Sequence, residues 1–122
     1  LHPCDHGTTL GPGPFASSVA LHVFDRLSDP TLLAQVAQNG AWLGKALQKM
    51  TARTPRARTV RGVGYMWGID VVDPARDIVA RALDAGLLIC SAGEHTLRLV
   101  PPLVMTRGDL ERGVALLAEA IG

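Results

Sequence analysis

The chain has 122 residues, of which 48% are hydrophobic and 19% charged, and its formal net charge is +1. This composition is that of a globular protein with one core and excludes an intrinsically disordered chain. The small net charge, without basic stripes or aromatic platforms, argues against nucleic acid and anionic membranes as partners.

Targeting features and cysteine usage indicate where the protein works. No hydrophobic run is long enough to span a membrane, and no signal peptide is visible. The two cysteines, Cys4 and Cys90, are isolated from each other, which is typical of free thiols in a reducing compartment. We therefore expect a soluble cytoplasmic protein. Because the sequence starts at Leu1, without methionine, and goes directly into a polar stretch, we also expect it to be a piece of a longer chain.

Residues 6–14, with the sequence HGTTLGPGP, form the first distinctive segment. Thr8 and Thr9 follow a glycine and precede a Gly-Pro-Gly-Pro turn. Such a turn exposes backbone N–H groups together with threonine hydroxyls, a combination that binds phosphate or carboxylate. The same residues could instead form a capping turn ahead of a helix, and the segment alone leaves both interpretations open.

Two helices are predicted next. Apolar residues at helical spacing predict a first helix over residues 14–27, with Pro14 in its first turn. Ser28 or Asp29 should cap a second helix that has Pro30 at its first position. The apolar stripe of this second helix suits packing against a sheet or a neighbouring helix; it consists of Leu33, Val36, Gly40, Leu43, Leu47 and Met50.

The central part of the chain changes to a period of two. Residues 51–59 are basic and are predicted to be a solvated loop, and residues 60–72 are predicted to be one glycine-rich strand. One face of that strand should carry Val63, Tyr65, Trp67, Ile69 and Val71. The opposite face should carry Gly62, Gly64, Met66, Gly68 and Asp70, so that another segment packs closely against the backbone there.

The remaining segments complete an α+β pattern. A third helix is predicted over residues 74–85, with its inner face formed by Ile78, Val79, Ala82 and Leu83 and with Gly86 as its C-cap. Two short strands over residues 87–91 and 96–100 should follow, joined by a hairpin-like connection. Thr106, with Asp109 three residues later, resembles a capping box for a last helix that ends at Ile121 and buries Leu110, Val114, Leu117 and Ile121. The predicted fold is a small, mainly antiparallel sheet covered by helices and preceded by a loop and a long helix.

Arg98 is the strongest candidate for a binding residue. Strand alternation places Thr96, Arg98 and Val100 on one face of a short apolar strand. One interpretation is an edge-strand arginine that extends to solvent, and the other is a bidentate clamp for a substrate carboxylate. His2, Cys4, Asp5 and His6 are potential metal-ligand types, but no second ligand cluster accompanies them, and we predict no metal site.

Three segments together resemble the C-terminal part of class III (fold type I) pyridoxal-phosphate (PLP) aminotransferases, in particular the acetylornithine branch. Residues 6–14 resemble the HGTTFGGNP loop of that family, residues 60–69 (VRGVGYMWGI) its VRGxGLMxGI strand, and residues 97–103 (LRLVPPL) its IRLLPPL segment. They occur in the order of the family and cover nearly the whole chain. The resemblance also implies a division into a cofactor-phosphate loop of the large domain (1–14), connecting helices (15–59) and a C-terminal small α+β domain (60–122).

The resemblance implies a role for three residues. Thr9 would bind the phosphate of PLP across the interface of a homodimer, Thr8 would contact the substrate, and Arg98 would hold a carboxylate of the amino-acid or oxo-acid substrate. The parent enzyme would transfer an amino group between N-acetylornithine, or a related ω-amino acid such as ornithine, succinylornithine or 4-aminobutyrate, and 2-oxoglutarate.

The resemblance also implies that one essential residue lies elsewhere. The family binds PLP covalently through a lysine shortly upstream of the HGTT loop, which would precede Leu1. The lysines of this chain, Lys45 and Lys49, fall in the second helix and are expected to be exposed. We therefore expect no catalytic residue in this chain, no covalently bound PLP and no activity of the chain alone. The alternative is a non-enzymatic, truncated module for interaction or dimerisation.

Overall fold

A computed structural model describes residues 13–122 of the chain. The described part contains four helices and four strands. In chain order these are α1 (Pro14–Leu27), α2 (Pro30–Thr51), β1 (Ala57–Val63), β2 (Met66–Val71), α3 (Ala75–Asp84), β3 (Cys90–Ser91), β4 (Thr96–Leu99) and α4 (Arg107–Ile121). The described residues divide into two units, one that ends at Leu33 and one that spans Ala34–Gly122. None of the described helices is both long and apolar enough to cross a membrane.

The two N-terminal helices begin where the sequence predicts. Pro14 occupies the first turn of α1, where its missing N–H costs no hydrogen bond. The Oδ1 atom of Asp29 accepts a hydrogen bond from the backbone N–H of Thr31 at 2.8 Å, and this bond caps the start of α2. Because a capping side chain and a helix-compatible proline are local signals, both boundaries can be predicted without tertiary information.

The sheet is antiparallel throughout and has the strand order β1-β2-β4-β3. The prediction of one continuous strand over residues 60–72 is wrong, since Val63 pairs with Met66 and the chain reverses at Gly64 and Tyr65. Gly64 has a φ of +56°, a conformation that tight hairpin turns require and glycine adopts without strain. Strand β1 also takes residues 57–59 from the predicted basic loop.

The two-residue turn also changes which residues share a face. Residues at odd positions before the turn lie on the same face as residues at even positions after it, because Val63 and Met66 are directly paired. Val63 is accordingly 81% exposed, although it was predicted to share the face of the buried Trp67. Gly62 was predicted on the face of Met66 and Gly68, but it lies opposite Trp67. A Cβ atom at Gly62 would be 2.2 Å from the Met66 carbonyl oxygen, so this position requires glycine.

The hydrophobic core lies on one face of the sheet, where it contacts apolar side chains of α2, α3 and α4. The largest fully buried side chains are Leu47, Ile69, Val71, Ile78, Leu97, Leu117 and Ile121. With the other buried and partly buried residues, they cover the predicted inner faces of α2, α3 and α4 except at two positions. Leu33 of α2 is 51% exposed and Leu83 of α3 is 59% exposed, so neither belongs to an inner face. The α+β fold with a small antiparallel sheet and covering helices is confirmed.

Helix α2 approaches the β1–β2 hairpin closely through two glycines. A Cβ atom at Gly40 would lie 2.7 Å from the backbone of Gly64, and one at Gly44 would lie 2.5 Å from the indole of Trp67. The indole Nε1 of Trp67 donates a hydrogen bond to the Gly64 carbonyl at 2.7 Å. The predicted close packing against the glycine-rich segment is therefore confirmed at Gly64.

Helix α3 ends within one residue of the predicted position, and α4 begins at the predicted cap. Gly86 follows α3 with a φ of +83°. The Oγ1 atom of Thr106 accepts a hydrogen bond from the backbone N–H of Asp109 at 3.2 Å and caps α4. Strand β3 is shorter than predicted and retains only Cys90 and Ser91.

Candidate substrate-carboxylate site

Arg98 lies in the middle of the sheet face that the core leaves uncovered, which we call the open face. In β4, Leu97 is fully buried and Arg98 is exposed, as the strand alternation predicts. Arg98 is paired with Gly68 of β2 on one side and with Cys90 of β3 on the other. Since Gly68 is also paired with Arg61 of β1, these four residues form one cross-strand row on the open face.

Asp70 is the polar centre of a second row on the same face. Its carboxylate accepts hydrogen bonds from the Oγ1 atoms of Thr59 at 2.6 Å and Thr96 at 2.7 Å. It also forms a hydrogen-bonded ion pair with the guanidinium of Arg61. These contacts lower the pKa of Asp70 far below its ordinary value, with the hydrogen bond from Arg61 as the largest cause. The same pair raises the pKa of Arg61, so the two residues remain charged and paired.

The two arginines of the first row therefore differ in what they can still bind. Arg61 is satisfied by Asp70. Arg98 forms no ion pair and no side-chain hydrogen bond with any other residue in 13–122. An exposed guanidinium whose donors have no partner in the described part of the chain can bind a carboxylate in a bidentate manner. Arg98 is thus a candidate anion site on the open face.

Two other arginines in residues 34–122 have structural roles and make defined contacts. Arg107 lies over the ring of Trp42, 4.4 Å from the centroid, and its Nε donates to Asn39 Oδ1 at 3.0 Å. Arg81 donates from its Nε to the carbonyl of Ala120 at 2.8 Å. Both side chains connect elements of the fold. The absence of a comparable partner for Arg98 among the described residues favours a binding role over a structural one.

The structure describes some of the other residues that the sequence analysis singled out, and others lie outside the described part of the chain. Thr8 and Thr9 lie outside the described residues, as does the group His2, Cys4, Asp5 and His6. Lys45 and Lys49 are exposed on α2, as expected. The thiol of Cys90 is free and exposed. The described residues therefore fit a substrate carboxylate, whereas the cofactor-binding prediction depends on the segment before Gly13.

The sequence interpretation assigned no role to Asp70 or Arg61. Both residues were visible in the sequence, but their pairing depends on the change of face at the Gly64–Tyr65 turn. Under the predicted single strand, Arg61 and Asp70 lie on opposite faces. The signal that could have placed them together is the glycine at position 64, at the centre of a period-two segment long enough for two strands.

Comparison with known proteins identifies the family. A family model described as Aminotransferase class-III matches residues 1–121. The chain belongs to the class-III aminotransferases. The mitochondrial acetylornithine aminotransferase of Saccharomyces cerevisiae is 38% identical over 118 residues, which cover 96% of this chain and 28% of the yeast protein. The chain therefore spans less than a third of the length of that relative.

Solved structures of class-III aminotransferases have the same fold over nearly the whole chain. The acetylornithine aminotransferase of Elizabethkingia anophelis is 28% identical and superposes with a TM-score of 0.86, over 99% of this chain and 33% of that one. An ornithine aminotransferase from Toxoplasma gondii, described with PLP at partial occupancy in its active site, is 26% identical. Its TM-score is 0.83, over 99% of this chain and 30% of that one.

The motifs that carry the family resemblance have definite places in this aminotransferase chain. The VRGVGYMWGI segment is the β1–β2 hairpin, in which Gly62 and Gly64 meet the steric demands of the turn. The LRLVPPL segment contains the end of β4 and carries Arg98 on the open face. Both motifs therefore contribute to the same surface, through the row that contains Arg61, Gly68 and Arg98.

Proposed function

We propose that this chain is the C-terminal part of a PLP-dependent aminotransferase that transfers an amino group between N-acetylornithine, or a related ω-amino acid, and 2-oxoglutarate. The observation that carries the proposal is the exposed guanidinium of Arg98, which has no ion-pair partner among the described residues and lies in one row with an arginine that is already paired. Family membership and the acetylornithine aminotransferases among its relatives support the reaction and the choice of amino donor.

In this proposal the chain positions its ligands and forms no bonds with them. Arg98 holds a substrate carboxylate and thereby orients the C–H bond that is to be broken, which lies at the terminal carbon of an ω-amino acid and at Cα of glutamate. The Thr9 hydroxyl holds the cofactor phosphate across the interface of a homodimer, and Thr8 contacts the substrate. PLP, when bound, would supply the electron sink that makes the bonds at the amino-bearing carbon of the substrate labile. The loop of residues 1–14 belongs to the large domain, and residues 60–122 form the small domain.

The proposal also places the cofactor-binding lysine outside this chain. Lys45 and Lys49 lie exposed on α2, where neither is enclosed in a site. The lysine that binds PLP belongs to the preceding part of the full-length protein, as it does in the family that the sequence resembles. The isolated chain is inactive under this proposal, and the full-length enzyme works in the cytoplasm.

The test is an aminotransferase assay of the full-length, PLP-loaded protein with 2-oxoglutarate as acceptor. We expect the highest kcat/KM with N-acetylornithine and lower values with ornithine, succinylornithine and 4-aminobutyrate. A preference for another donor would retain the enzyme class and reject the substrate assignment. Absence of transamination with all four donors would reject the proposed function.

An alternative is a non-enzymatic module for interaction or dimerisation. It is favoured by the apolar surface of α1, in which no residue is buried and Phe15, Leu21 and Phe24 are each more than 60% exposed. The two functions differ in their need for cofactor. A full-length protein that dimerises but neither binds PLP nor transaminates would support the alternative.

A further inference from the structure

The open face holds two arginines in one cross-strand row, and within residues 13–122 only one of them has an ion-pair partner. Arg61 and Arg98 are separated by a single strand and both are paired with Gly68. Their Cα atoms are therefore about 10 Å apart, twice the usual spacing between strands. At that distance two long guanidinium side chains could contact the two ends of one short dicarboxylate. What prevents this is the ion pair between Arg61 and Asp70.

We propose that Asp70 is a specificity-determining residue: by holding Arg61, it leaves Arg98 as the guanidinium of the row that has no counter-ion among residues 13–122, so that this part of the site accepts one carboxylate and does not attract a second. This inference rests on the proposed role of Arg98. It assigns Asp70 a role in positioning and charge compensation, with no contact to the reacting atoms.

The side chain of Arg61 crosses β2 above Gly68 to reach Asp70. A Cβ atom at Gly68 would lie 3.8 Å from both the Cγ and the Nε atoms of Arg61, which shows that the arginine side chain lies across β2 above this glycine. From there the guanidinium contacts a carboxylate that Thr59 and Thr96 hold in place. Three donors converge on Asp70, so its carboxylate has a defined position and holds Arg61 away from Arg98.

The consequence of removing this negative charge follows from the geometry. With asparagine at position 70, one of the hydroxyls of Thr59 and Thr96 keeps an oxygen acceptor and the other can accept from the amide NH2 group, but Arg61 loses its counter-ion. The row then carries two uncompensated cations. A ligand with carboxylates at both ends gains one additional attraction, whereas a ligand with one carboxylate gains little.

Succinate and butyrate are suitable probes, because they differ in having a carboxylate or a methyl group at one end. Each is tested as a competitive inhibitor against the amino donor, in the PLP-loaded full-length enzyme. We expect Asp70→Asn to raise the preference for succinate, expressed as the Ki ratio of butyrate to succinate, by about three- to tenfold at low ionic strength, the size of one partly screened charge contact. Salt should reduce the effect.

Three further variants separate this charge effect from a structural one. The double variant Asp70→Asn/Arg61→Gln restores the net charge of the row and should return the ratio to the wild-type value, which a merely structural role of Asp70 would not do. Asp70→Glu keeps the carboxylate and should stay near wild type. Asp84→Asn makes the same charge change on the exposed surface of α3 and should leave the ratio unchanged.

The outcomes distinguish this inference from the proposed function. An unchanged ratio in Asp70→Asn, or a raised ratio that persists in the double variant, overturns the role of Asp70. Failure of the carboxylate site itself appears separately: if Arg98→Lys leaves the Ki of butyrate unchanged, the proposed role of Arg98 is wrong.

Discussion

At the scale of single residues, the proposed binding surface depends on which charged side chains already have a counter-ion. Strand alternation was sufficient to place Arg98 on an exposed face, because the leucines on either side of it are apolar. The ion pair of Arg61 with Asp70 was not predictable in the same way, since the two residues are nine positions apart and meet only through the hairpin register. Residue type and spacing identified Arg98 as the candidate binding residue. They could not show that Arg61 is held in an ion pair with Asp70.

The lowered pKa of Asp70 gives a prediction at this scale. A carboxyl group whose pKa is lower in the folded state stabilises the fold at pH values above its unfolded pKa of about 4, and this contribution is lost as the pH falls below that value. Asp70→Asn should therefore lower the Tm by a few degrees at pH 7 and reduce the loss of stability between pH 5 and pH 2.

Thermal unfolding of both proteins across this pH range measures the effect. Asp84→Asn, at an exposed position of α3, is the matched control and should follow the wild-type curve. Parallel curves for Asp70→Asn and wild type would show that the ion pair contributes nothing to folding.

At the scale of elements, local signals determined the helices and tertiary contacts determined the strands. The caps at Asp29 and Thr106 and the proline in the first turn of α1 are encoded within a few residues, which is why the predicted helix starts agree with the structure. The β1–β2 turn lies inside a continuous period-two segment, and alternation alone does not reveal that the chain reverses there. The apolar-face assignment failed at Val63, before the turn, and held from Trp67 onward.

Alanine substitutions at two helical glycines should change the free energy of unfolding in opposite directions. Alanine is favoured over glycine inside a helix by about 0.5–1 kcal/mol. At Gly113 in α4 an added Cβ would be 3.9 Å from its nearest neighbour, so Gly113→Ala should stabilise the protein by that amount. At Gly40 in α2 the same methyl group would be 2.7 Å from the backbone of Gly64, and Gly40→Ala should destabilise by about 1–3 kcal/mol.

Urea unfolding of the two variants measures both changes. The pair is informative because helix propensity favours alanine at both positions. Stabilisation by Gly40→Ala would contradict the close approach of α2 to the hairpin.

At the scale of the whole molecule, the chain accounts for about a third or less of the length of its acetylornithine aminotransferase relatives. The family and the α+β fold could be recognised from three motifs in the correct order, even though one of the predicted strands was in fact a hairpin. The wrong strand prediction did not affect the family assignment, because the motifs depend on which residues are present. The strand prediction depended on the alternation of apolar residues, and the turn shifts that alternation by one residue.

The proposed division of the site between this chain and the preceding part of the protein predicts how PLP binds. Mixing the 122-residue chain with PLP and reducing with borohydride should give no stoichiometric modification at Lys45 or Lys49, since both are exposed on α2. The full-length protein treated in the same way should give one modified lysine per subunit, upstream of Leu1. Stoichiometric modification of either α2 lysine at micromolar PLP would contradict this division.

The most direct measurement of the central claim is the steady-state kinetics of Arg98→Lys in the full-length enzyme, together with its affinity for PLP. Lysine keeps the charge but loses the bidentate geometry. The KM values for the amino acid and the oxo acid should therefore rise about 10- to 100-fold, while the affinity for PLP stays close to wild type. Unchanged KM values would assign Arg98 to structure and would contradict a carboxylate site on the open face of the sheet.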